Sequence, residues 1–360
     1  MENNFKTVPE NIPNDGIMFV DHQKNNRSGH MGHALIEYAP GEVLAFYPNC
    51  SAEDLKYRGH SGHGWMEYKR STDGGETWSE SIIEPNSKAL FDSNVGRTFM
   101  CEKIVKTDTG RLVLFYLNCD IITNGHIWEP YFEPYYAFSE DNGETFSSAK
   151  QLFDKRGRVY DAVYRDGIIY VLFFANPELP GLAHSEEYDY LLYTSSDNGE
   201  TFELRSKIPF NTMIDRFYGT MCFSPEGKLI VYTYDQKDEH NLIYIISDDN
   251  GLNWGKECKA YFKKKLRNPQ LIYYKDRFFI HGRGGEEGLY GALVLYTSPD
   301  GINWDEGYYM RYHTDGCGAG AYSNNLIVHL PNGKERLMIH SSHAYEHAKT
   351  NIIMFFVDID

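Results

Sequence analysis

The sequence has little that would build a long helix or a membrane anchor. No long stretch carries the 3.6-residue apolar period of an amphipathic helix, while 28 Tyr and 21 Phe help to raise the aromatic content to 15% of 360 residues. No window approaches the run of ~18 apolar residues that a transmembrane helix needs. Aromatic richness without helical periodicity predicts an all-β protein, with no membrane partner.

The amino-terminal stretch MENNFKTVPENIPNDG lacks the apolar segment of a secretory signal. We therefore expect a cytoplasmic location, or a secreted or periplasmic one if a signal has been removed. Cysteine is also sparse, and no pair has the CxxC spacing of a zinc knuckle. Free, packed thiols are expected at the six positions, which are Cys50, Cys101, Cys119, Cys222, Cys258 and Cys317.

Positive charge is in short supply. Lys and Arg total 35 against 51 Asp and Glu, so the formal net charge is −16. A nucleic acid partner is disfavoured because its phosphates need neutralising cations. An anionic ligand would have to be met by arginines clustered at one place.

One short pattern recurs along the chain. Each copy follows a strand-like run, and its Asp and Gly suit a tight turn in which the carboxylate accepts backbone N–H groups. The five copies are STDGGETW (71–78), SEDNGETF (139–146), SSDNGETF (195–202), SDDNGLNW (247–254) and SPDGINW (298–304). Repeated turns of this kind hold a fold together, so we assign them no catalytic role.

These copies resemble the Asp-box, or BNR, repeats of the sialidase superfamily, in which the box joins the third and fourth strands of a propeller blade. A two-strand unit precedes each box, and a sixth unit, YSNNLIVHLPNGKERLMIH, follows the last box. After it only NIIMFFVDI remains, so the last blade lacks one strand. The segment GIMFVDH (16–22) is predicted to complete that blade and close the ring.

The prediction is one six-bladed β-propeller domain over 1–360. Its blades are expected at about 30–85, 97–153, 158–209, 216–262, 267–312 and 318–360 with 16–22. In a four-stranded blade, the boxes lie on one face, whereas the starts of first strands and the loops between second and third strands lie on the other. That second face forms the mouth of the central channel, where ligands are expected.

Histidine, arginine and tyrosine accumulate at the predicted mouth. At the starts of first strands we place His30, His33, Arg97, Arg158, Tyr160, Arg216, Tyr218, Arg267, Asn268 and Tyr322. The loops between second and third strands add His60, His63, His126, Trp128, His184, His240, Arg283, His343 and His347.

Several guanidinium groups that converge on one channel would suit a carboxylate. We therefore expect an electropositive mouth and an acidic oligo- or polysaccharide as the partner. The predicted substrate-binding residues are His30, His60, Arg97, Arg158, Tyr160, Arg216, Arg267, His126 and Trp128. The sequence leaves the oligomeric state open.

Two HxxH pairs, His30 with His33 and His60 with His63, also permit a zinc site. No cysteine or carboxylate stands at a fixed interval beside them. The expectation is therefore no metal and no other cofactor, with a zinc ion at these histidines as the alternative.

The resemblance to sialidases extends to the site, with departures. Sialidases open blade one with an RIPAL-like segment that supplies the first of three carboxylate-binding arginines, and Met31 stands at that position in MGHAL (31–35). Arg216 and Arg267 would be the other two arginines. The segment AYSNNLIVHLPNG (321–333) is similar to the one that carries the tyrosine nucleophile, which would be Tyr322, and Asp54 would be the acid/base.

Blade one, with NNRSGHMGHAL and GHSGHGW, looks closer to propeller-type ulvan lyases and propeller α-L-rhamnosidases, which use histidine where sialidases use aspartate. β-Elimination at a uronate needs a cation, a base and an acid, roles that Arg, His and Tyr can fill. Our main prediction is therefore cleavage of a uronate-containing saccharide by elimination or hydrolysis. His33, with His63, would carry the proton transfer, and Tyr322 or a second histidine would complete the pair.

Two alternatives remain open from the sequence. One is an exo-sialidase-like glycoside hydrolase that uses Tyr322 as its nucleophile. The other is a non-catalytic glycan-binding propeller that uses Trp65, Trp128 and Tyr160 as aromatic platforms.

Overall fold

A computed structural model describes most of the chain as nearly all β. The described residues are 16–53, 63–120, 131–176, 188–213, 216–284, 292–311, 320–346 and 349–359. In this part of the chain, no helix is long and apolar enough to span a membrane.

Six antiparallel sheets are arranged as propeller blades, so the predicted six-bladed fold is confirmed. The innermost strands are β3 (Leu35–Ala39), β7 (Arg97–Lys106), β11 (Gly157–Arg165), β15 (Arg216–Phe223), β19 (Arg267–Tyr274) and β23 (Ser323–His329). The second strands are β4 (Glu42–Ser51), β8 (Leu112–Asp120), β12 (Ile168–Ala175), β16 (Leu229–Asp235), β20 (Arg277–Gly284) and β24 (Glu335–Glu346).

The outermost strand of each blade is shorter than the other three. The third strands are β5 (Gly64–Ser71), β9 (Tyr135–Ser139), β13 (Asp189–Ser195), β17 (Asp238–Ser247), β21 (Ala292–Ser298) and β25 (Lys349–Asp358). The outermost strands are β6 (Ile82–Ile83), β10 (Lys150–Gln151), β14 (Glu203–Ile208), β18 (Cys258–Tyr261), β22 (Tyr308–Arg311) and β1 (Ile17–Val20).

Three short elements accompany the blades. Strand β2 (Arg27–Ser28) pairs with β4, and a 3₁₀-helix spans His22–Asn25. The α-helix α1 spans Pro85–Asp92 and is capped at its amino terminus by Glu84. The buried carboxylate of Glu84 accepts hydrogen bonds from the backbone N–H groups of Asn86 and Ser87. This cap satisfies two of the N–H groups that a helix leaves unpaired at its start.

The ring closes through the amino-terminal strand. Strand β1 pairs antiparallel with β25, with Ile17 opposite Met354 and Met18 opposite Ile353. The last blade therefore joins both ends of the described chain. This confirms the prediction that the amino-terminal segment supplies the fourth strand of that blade. Pairing of β1 covers an edge of β25 that would otherwise expose unpaired backbone groups.

Each Asp box forms the turn between the third and fourth strands. In the first copy, Asp73 accepts hydrogen bonds from the Ser71 hydroxyl and from the Thr77 N–H at 2.8 Å, and the Thr77 hydroxyl also donates to it. These hydrogen bonds lower the pKa of the Asp73 carboxyl, against the opposing effect of its partial burial. The carboxylate thus fixes the turn, and no box contributes to the mouth.

Box residues also join neighbouring blades. In the fourth box, the Trp254 indole N–H donates to the Ser206 hydroxyl in the preceding blade at 2.9 Å. Gly251 has a φ of +80°, and a Cβ added there would lie 2.1 Å from Leu192 of that blade. Only glycine fits this contact, because it permits both the left-handed backbone and the close approach.

Replacing Asp73 with Ala is expected to lower the free energy of unfolding by about 1–3 kcal/mol, because the turn loses its carboxylate hydrogen bonds. Urea titration followed by tryptophan fluorescence measures the loss. Glu203→Ala, at the exposed start of β14, is the matched carboxylate control, with an expected change within about 0.5 kcal/mol. Equal stability of the Asp73 variant and the parent would contradict this role.

Candidate functional site

A small cavity lies at the mouth end of the central channel. Its volume is about 30 Å³, enough for about one water molecule or one hydroxyl group. All six blades contribute to its wall, through His33, Glu102, Arg158, Tyr218, Asn268 and Tyr322. The predicted residues His33, Arg158, Tyr160 and Tyr322 are therefore brought together.

Irregular backbone places these side chains. Strands β7, β11, β15 and β19 each shift register near the mouth, at Cys101/Lys103, Val159/Asp161, Phe217/Gly219 and Arg267/Gln270. Tyr218 and Asn268 lie within two of these bulges, with φ of +48° and +50°, and Ala321 before Tyr322 has a φ of +58°. Left-handed backbone at residues other than glycine stores strain, which concentrates at functional sites.

Tyr322 is the centre of an aromatic and cationic group. Its hydroxyl lies 3.2 Å from the Tyr218 hydroxyl, and its ring packs against the His30 imidazole with centroids 4.2 Å apart. The Arg283 guanidinium lies 5.1 Å from the centre of the same ring. The phenol oxygen is thus held among polar groups at the mouth rather than within the apolar core.

Arg158 and Glu102 form a buried ion pair in the cavity wall. Nη2 of Arg158 lies 2.7 Å from Oε2 of Glu102, and their side chains are only 4% and 10% exposed. The Arg158 guanidinium also lies 4.9 Å from the Tyr218 ring centre and 5.3 Å from that of Tyr160. Glu102 therefore neutralises most of the charge that Arg158 brings to the mouth.

A polar network separates this cavity from the rest of the channel. The Lys103 ammonium donates to Gln270 at 2.6 Å and Asn324 at 2.8 Å, and lies 3.1 Å from Asp161. Beyond it, toward the face that carries the boxes, lies a second cavity of about 410 Å³ with largely apolar walls. Lys103 and Asn324 line both cavities, so they form the partition between them.

His33 is buried and neutral in this setting. Its Nε2–H donates to the His30 carbonyl at 3.1 Å, which leaves Nδ1 with the lone pair. Burial lowers its pKa to about 4, with the bond to the His30 carbonyl opposing part of the shift. Desolvation penalises the imidazolium, so His33 holds a proton far less readily than a histidine with the ordinary pKa of ~6.5, which disfavours its predicted role in proton transfer.

Three other predicted residues lie outside the described wall of the cavity. The Nε2–H group of His63 donates to the Arg97 carbonyl at 3.1 Å, and its ring packs on Phe91. The Arg97 guanidinium lies over the Phe132 ring at 3.8 Å. Arg267 is paired with Glu239 at 3.0 Å and with the Tyr234 hydroxyl at 3.2 Å.

The predicted electropositive mouth needs correction at two arginines. Arg158 and Arg267 already have carboxylate partners, so neither brings an uncompensated charge. Met31, at the position of the first sialidase arginine, is 1% exposed and belongs to the apolar core. The arginine whose guanidinium stacks on Tyr322 is Arg283, at the end of β20, and not Arg267.

Sequence reasoning missed Glu102 and Lys103. Regular alternation along β7 would direct two consecutive residues to opposite faces of the sheet. The bulge at Cys101/Lys103 breaks that alternation, and both residues line the cavity. Two adjacent charges inside the otherwise apolar run MCEKIV were the available signal.

Some predicted site residues fall outside the described part of the chain. His60, His126, Trp128 and Asp54 are among them, and the side chain of Arg216 also lies outside. Within the described residues, no group of three or more His, Cys, Asp or Glu is arranged to hold a metal ion. The roles of these residues stay predictions.

His33 provides a pH-dependent prediction. Its folded pKa lies below the unfolded value of ~6.5, so its contribution to stability is complete above that pH and is lost as pH falls toward about 4. The free energy of unfolding of the parent should fall between pH 7.5 and pH 4.5. In the His33→Asn variant, which lacks this titrating group, that fall should be smaller by about 2–3 kcal/mol. Urea titrations at both pH values measure it, and identical pH dependence in parent and variant would show that His33 titrates normally.

Comparisons with known proteins agree with the fold. The family described as BNR/Asp-box repeat matches residues 69–80. A sialidase from Paraclostridium sordellii is 26% identical over 295 residues, covering 74% of this chain and 63% of the relative. A sialidase from Clostridium perfringens is 28% identical over 240 residues, covering 59% of this chain and 57% of the relative.

Solved structures show the same architecture. A protein of unknown function from Dyadobacter fermentans superposes with a TM-score of 0.72 at 12% identity, over 96% of this chain and 97% of that one. The Hadza microbial sialidase gives a TM-score of 0.69 at 15% identity, over 96% of this chain and 68% of that one.

Five boxes between third and fourth strands, on six blades closed by the amino-terminal strand, define an Asp-box β-propeller. In sequence it is similar to the two sialidases named above. It spans about three-fifths of the length of the curated relatives it matches.

Proposed function

We propose that the chain is a sialidase-type glycoside hydrolase that releases an acidic sugar at the mouth of the propeller, with Tyr322 as the nucleophile. The observation that carries the proposal is the placement of the Tyr322 phenol. Its oxygen is 3.2 Å from the Tyr218 hydroxyl, and the Arg283 guanidinium lies against its ring, at the mouth rather than in the core. The two curated relatives named above, both sialidases, support the same activity.

The chemistry assigns a role to each group. The Tyr322 hydroxyl releases its proton through the Tyr218 hydroxyl to water as its oxygen attacks the anomeric carbon, and a tyrosyl glycoside forms while the bond to the leaving oxygen breaks. Water then hydrolyses that intermediate, adding its oxygen to the sugar and returning a proton to Tyr322. Arg283 stabilises the substrate carboxylate and the phenolate. By resemblance, Asp54 protonates the leaving oxygen.

The uronate lyase and rhamnosidase hypotheses have less support. They rested on histidines in blade one as acid and base, and a His33 pKa of about 4 makes this imidazole a weak base that is almost never a proton donor at neutral pH. His63 contacts Phe91 and the Arg97 carbonyl outside the described cavity wall. The relatives of stated activity named above are sialidases.

A second candidate is a glycan-binding propeller without turnover. It is favoured by the buried Met31 and by the carboxylate partners of Arg158 and Arg267, which leave fewer arginines for a substrate carboxylate. Such a protein would bind the acidic sugar through Arg283 and the tyrosines and release no product.

Product analysis separates these functions. The protein is incubated with 3′-sialyllactose, a uronate polysaccharide and a rhamnosyl-glucuronate, and the products are resolved by mass spectrometry. Free sialic acid is the expected result. Unsaturated uronate would establish a lyase, free rhamnose a rhamnosidase, and binding of sialyllactose without any product the glycan-binding alternative.

A further inference from the structure

The buried ion pair in the cavity wall leaves polar atoms unpartnered. Among the described residues, Nε and Nη1 of Arg158 and Oε1 of Glu102 have no hydrogen-bond partner, although these atoms are buried. Asn268 is 4% exposed and leaves both its side-chain oxygen and nitrogen unpartnered. All three residues line the cavity at the mouth.

Polar atoms in such a position favour a bound partner that can make hydrogen bonds to them. A buried polar atom without a partner has lost the hydrogen bonds that it would make to water, and the loss is larger when the atom is charged. An incompletely satisfied buried ion pair is less stable than an apolar replacement of the same volume. The cavity beside these atoms, with its volume of about 30 Å³, therefore has the character of a prepared polar subsite.

The mixture of donors and acceptors specifies the ligand group. A carboxylate only accepts hydrogen bonds, so it would satisfy Arg158 but would face the like charge of Glu102. An ammonium only donates, so it would satisfy Glu102 and oppose Arg158. A hydroxyl group donates to one and accepts from the other, and one hydroxyl fits the volume.

We propose that Glu102, Arg158 and Asn268 form a hydroxyl-recognition subsite, which takes one neutral hydroxyl of a saccharide and not its carboxylate. The hydroxyl donates to Oε1 of Glu102 and accepts from Arg158, and Asn268 also lines the cavity. This subsite deepens the proposed function by naming the part of the sugar that enters the channel. It rests on that function only in assuming that a saccharide occupies the mouth.

Small probes test the ligand class without any turnover. Crystals of the full chain are soaked in glycerol or in sodium acetate, two molecules of which only glycerol carries hydroxyl groups. We expect a glycerol oxygen within hydrogen-bond distance of Glu102 Oε1 and of Arg158, and no acetate at that position. Acetate between these residues, or water alone after both soaks, would overturn the proposal.

Replacing Glu102 is expected to reverse the preference of the subsite for glycerol over acetate. Glu102→Ala removes the carboxylate that partners Arg158, so acetate is expected to occupy the vacated space and to raise the thermal unfolding midpoint of the variant. Glu335→Ala, which removes a carboxylate ion-paired with Lys275, is the control and should show no acetate effect beyond that of the parent. If Glu102→Ala does not fold, the parent soaks still decide the question.

The crystal soaks and the assay for sialic acid release test the subsite and the hydrolase separately. Absence of sialic acid release by the parent would contradict the hydrolase and leave the soaks unaffected. Release of sialic acid together with acetate at Arg158 would support the hydrolase and refute the hydroxyl subsite.

Discussion

Tyr322→Phe is expected to reduce the turnover of 3′-sialyllactose at least about 1,000-fold, because under the proposed mechanism it removes the oxygen that would form the covalent intermediate. The ring contacts with His30 and Tyr218 survive the change, since only the hydroxyl is lost. The fold and the affinity for sialic acid should therefore remain close to those of the parent. Initial rates measured by release of free sialic acid give the comparison.

Tyr218→Phe is the matched control for this substitution. It removes the other hydroxyl of the same 3.2 Å pair and leaves the Tyr322 oxygen in place. A smaller loss, about 10-fold, is expected because one neutral hydrogen bond to the nucleophile disappears. Equal losses in the two variants, or near-parental turnover by Tyr322→Phe, would exclude Tyr322 as the nucleophile.

Arg283→Ala is expected to lower kcat/KM about 100-fold or more, since in the proposed mechanism the guanidinium beside Tyr322 stabilises charge that develops in the transition state. Arg283 is 5% exposed, so its removal also opens space in the wall of the mouth. Circular dichroism and thermal unfolding are therefore measured with the kinetics. Arg283→Lys keeps the charge without the planar fork and should recover part of the activity.

Arg277→Ala provides the control for Arg283. Arg277 begins the same strand, β20, at its exposed end on the opposite face of the propeller. Its loss should leave kcat/KM within about twofold of the parent. An Arg283→Ala variant that keeps the activity of the Arg277→Ala variant would show that the substrate carboxylate is bound elsewhere.

The fold was predictable because it repeats. Each Asp box combines a carboxylate, a glycine and an aromatic in a fixed order, and five copies determine the turn between the third and fourth strands of five blades. The missing strand of the last blade then required a partner from the amino terminus, and β1 supplies it. The short helix α1 was not predicted, because eight residues with a proline start carry too little periodicity.

The sequence predicted where the site lies, but not how its side chains are paired or buried. Topology placed His33, Arg158, Tyr160 and Tyr322 at one mouth, and all four line the same cavity. It did not reveal that Arg158 is neutralised by Glu102, because the two adjacent charges in MCEKIV do not by themselves show that a bulge in β7 turns Glu102 inward. The pKa of His33 depends on complete burial, which a strand-start position does not specify.

The central claim, that Tyr322 attacks the sugar, has a direct measurement. The protein is incubated with a difluorosialyl fluoride, a substrate analogue whose covalent intermediate is hydrolysed slowly, and the tryptic peptides are sequenced by mass spectrometry. The account predicts a single sialyl adduct on Tyr322, absent from Tyr322→Phe. An adduct on another residue, or no adduct while sialic acid is still released from 3′-sialyllactose, would contradict it.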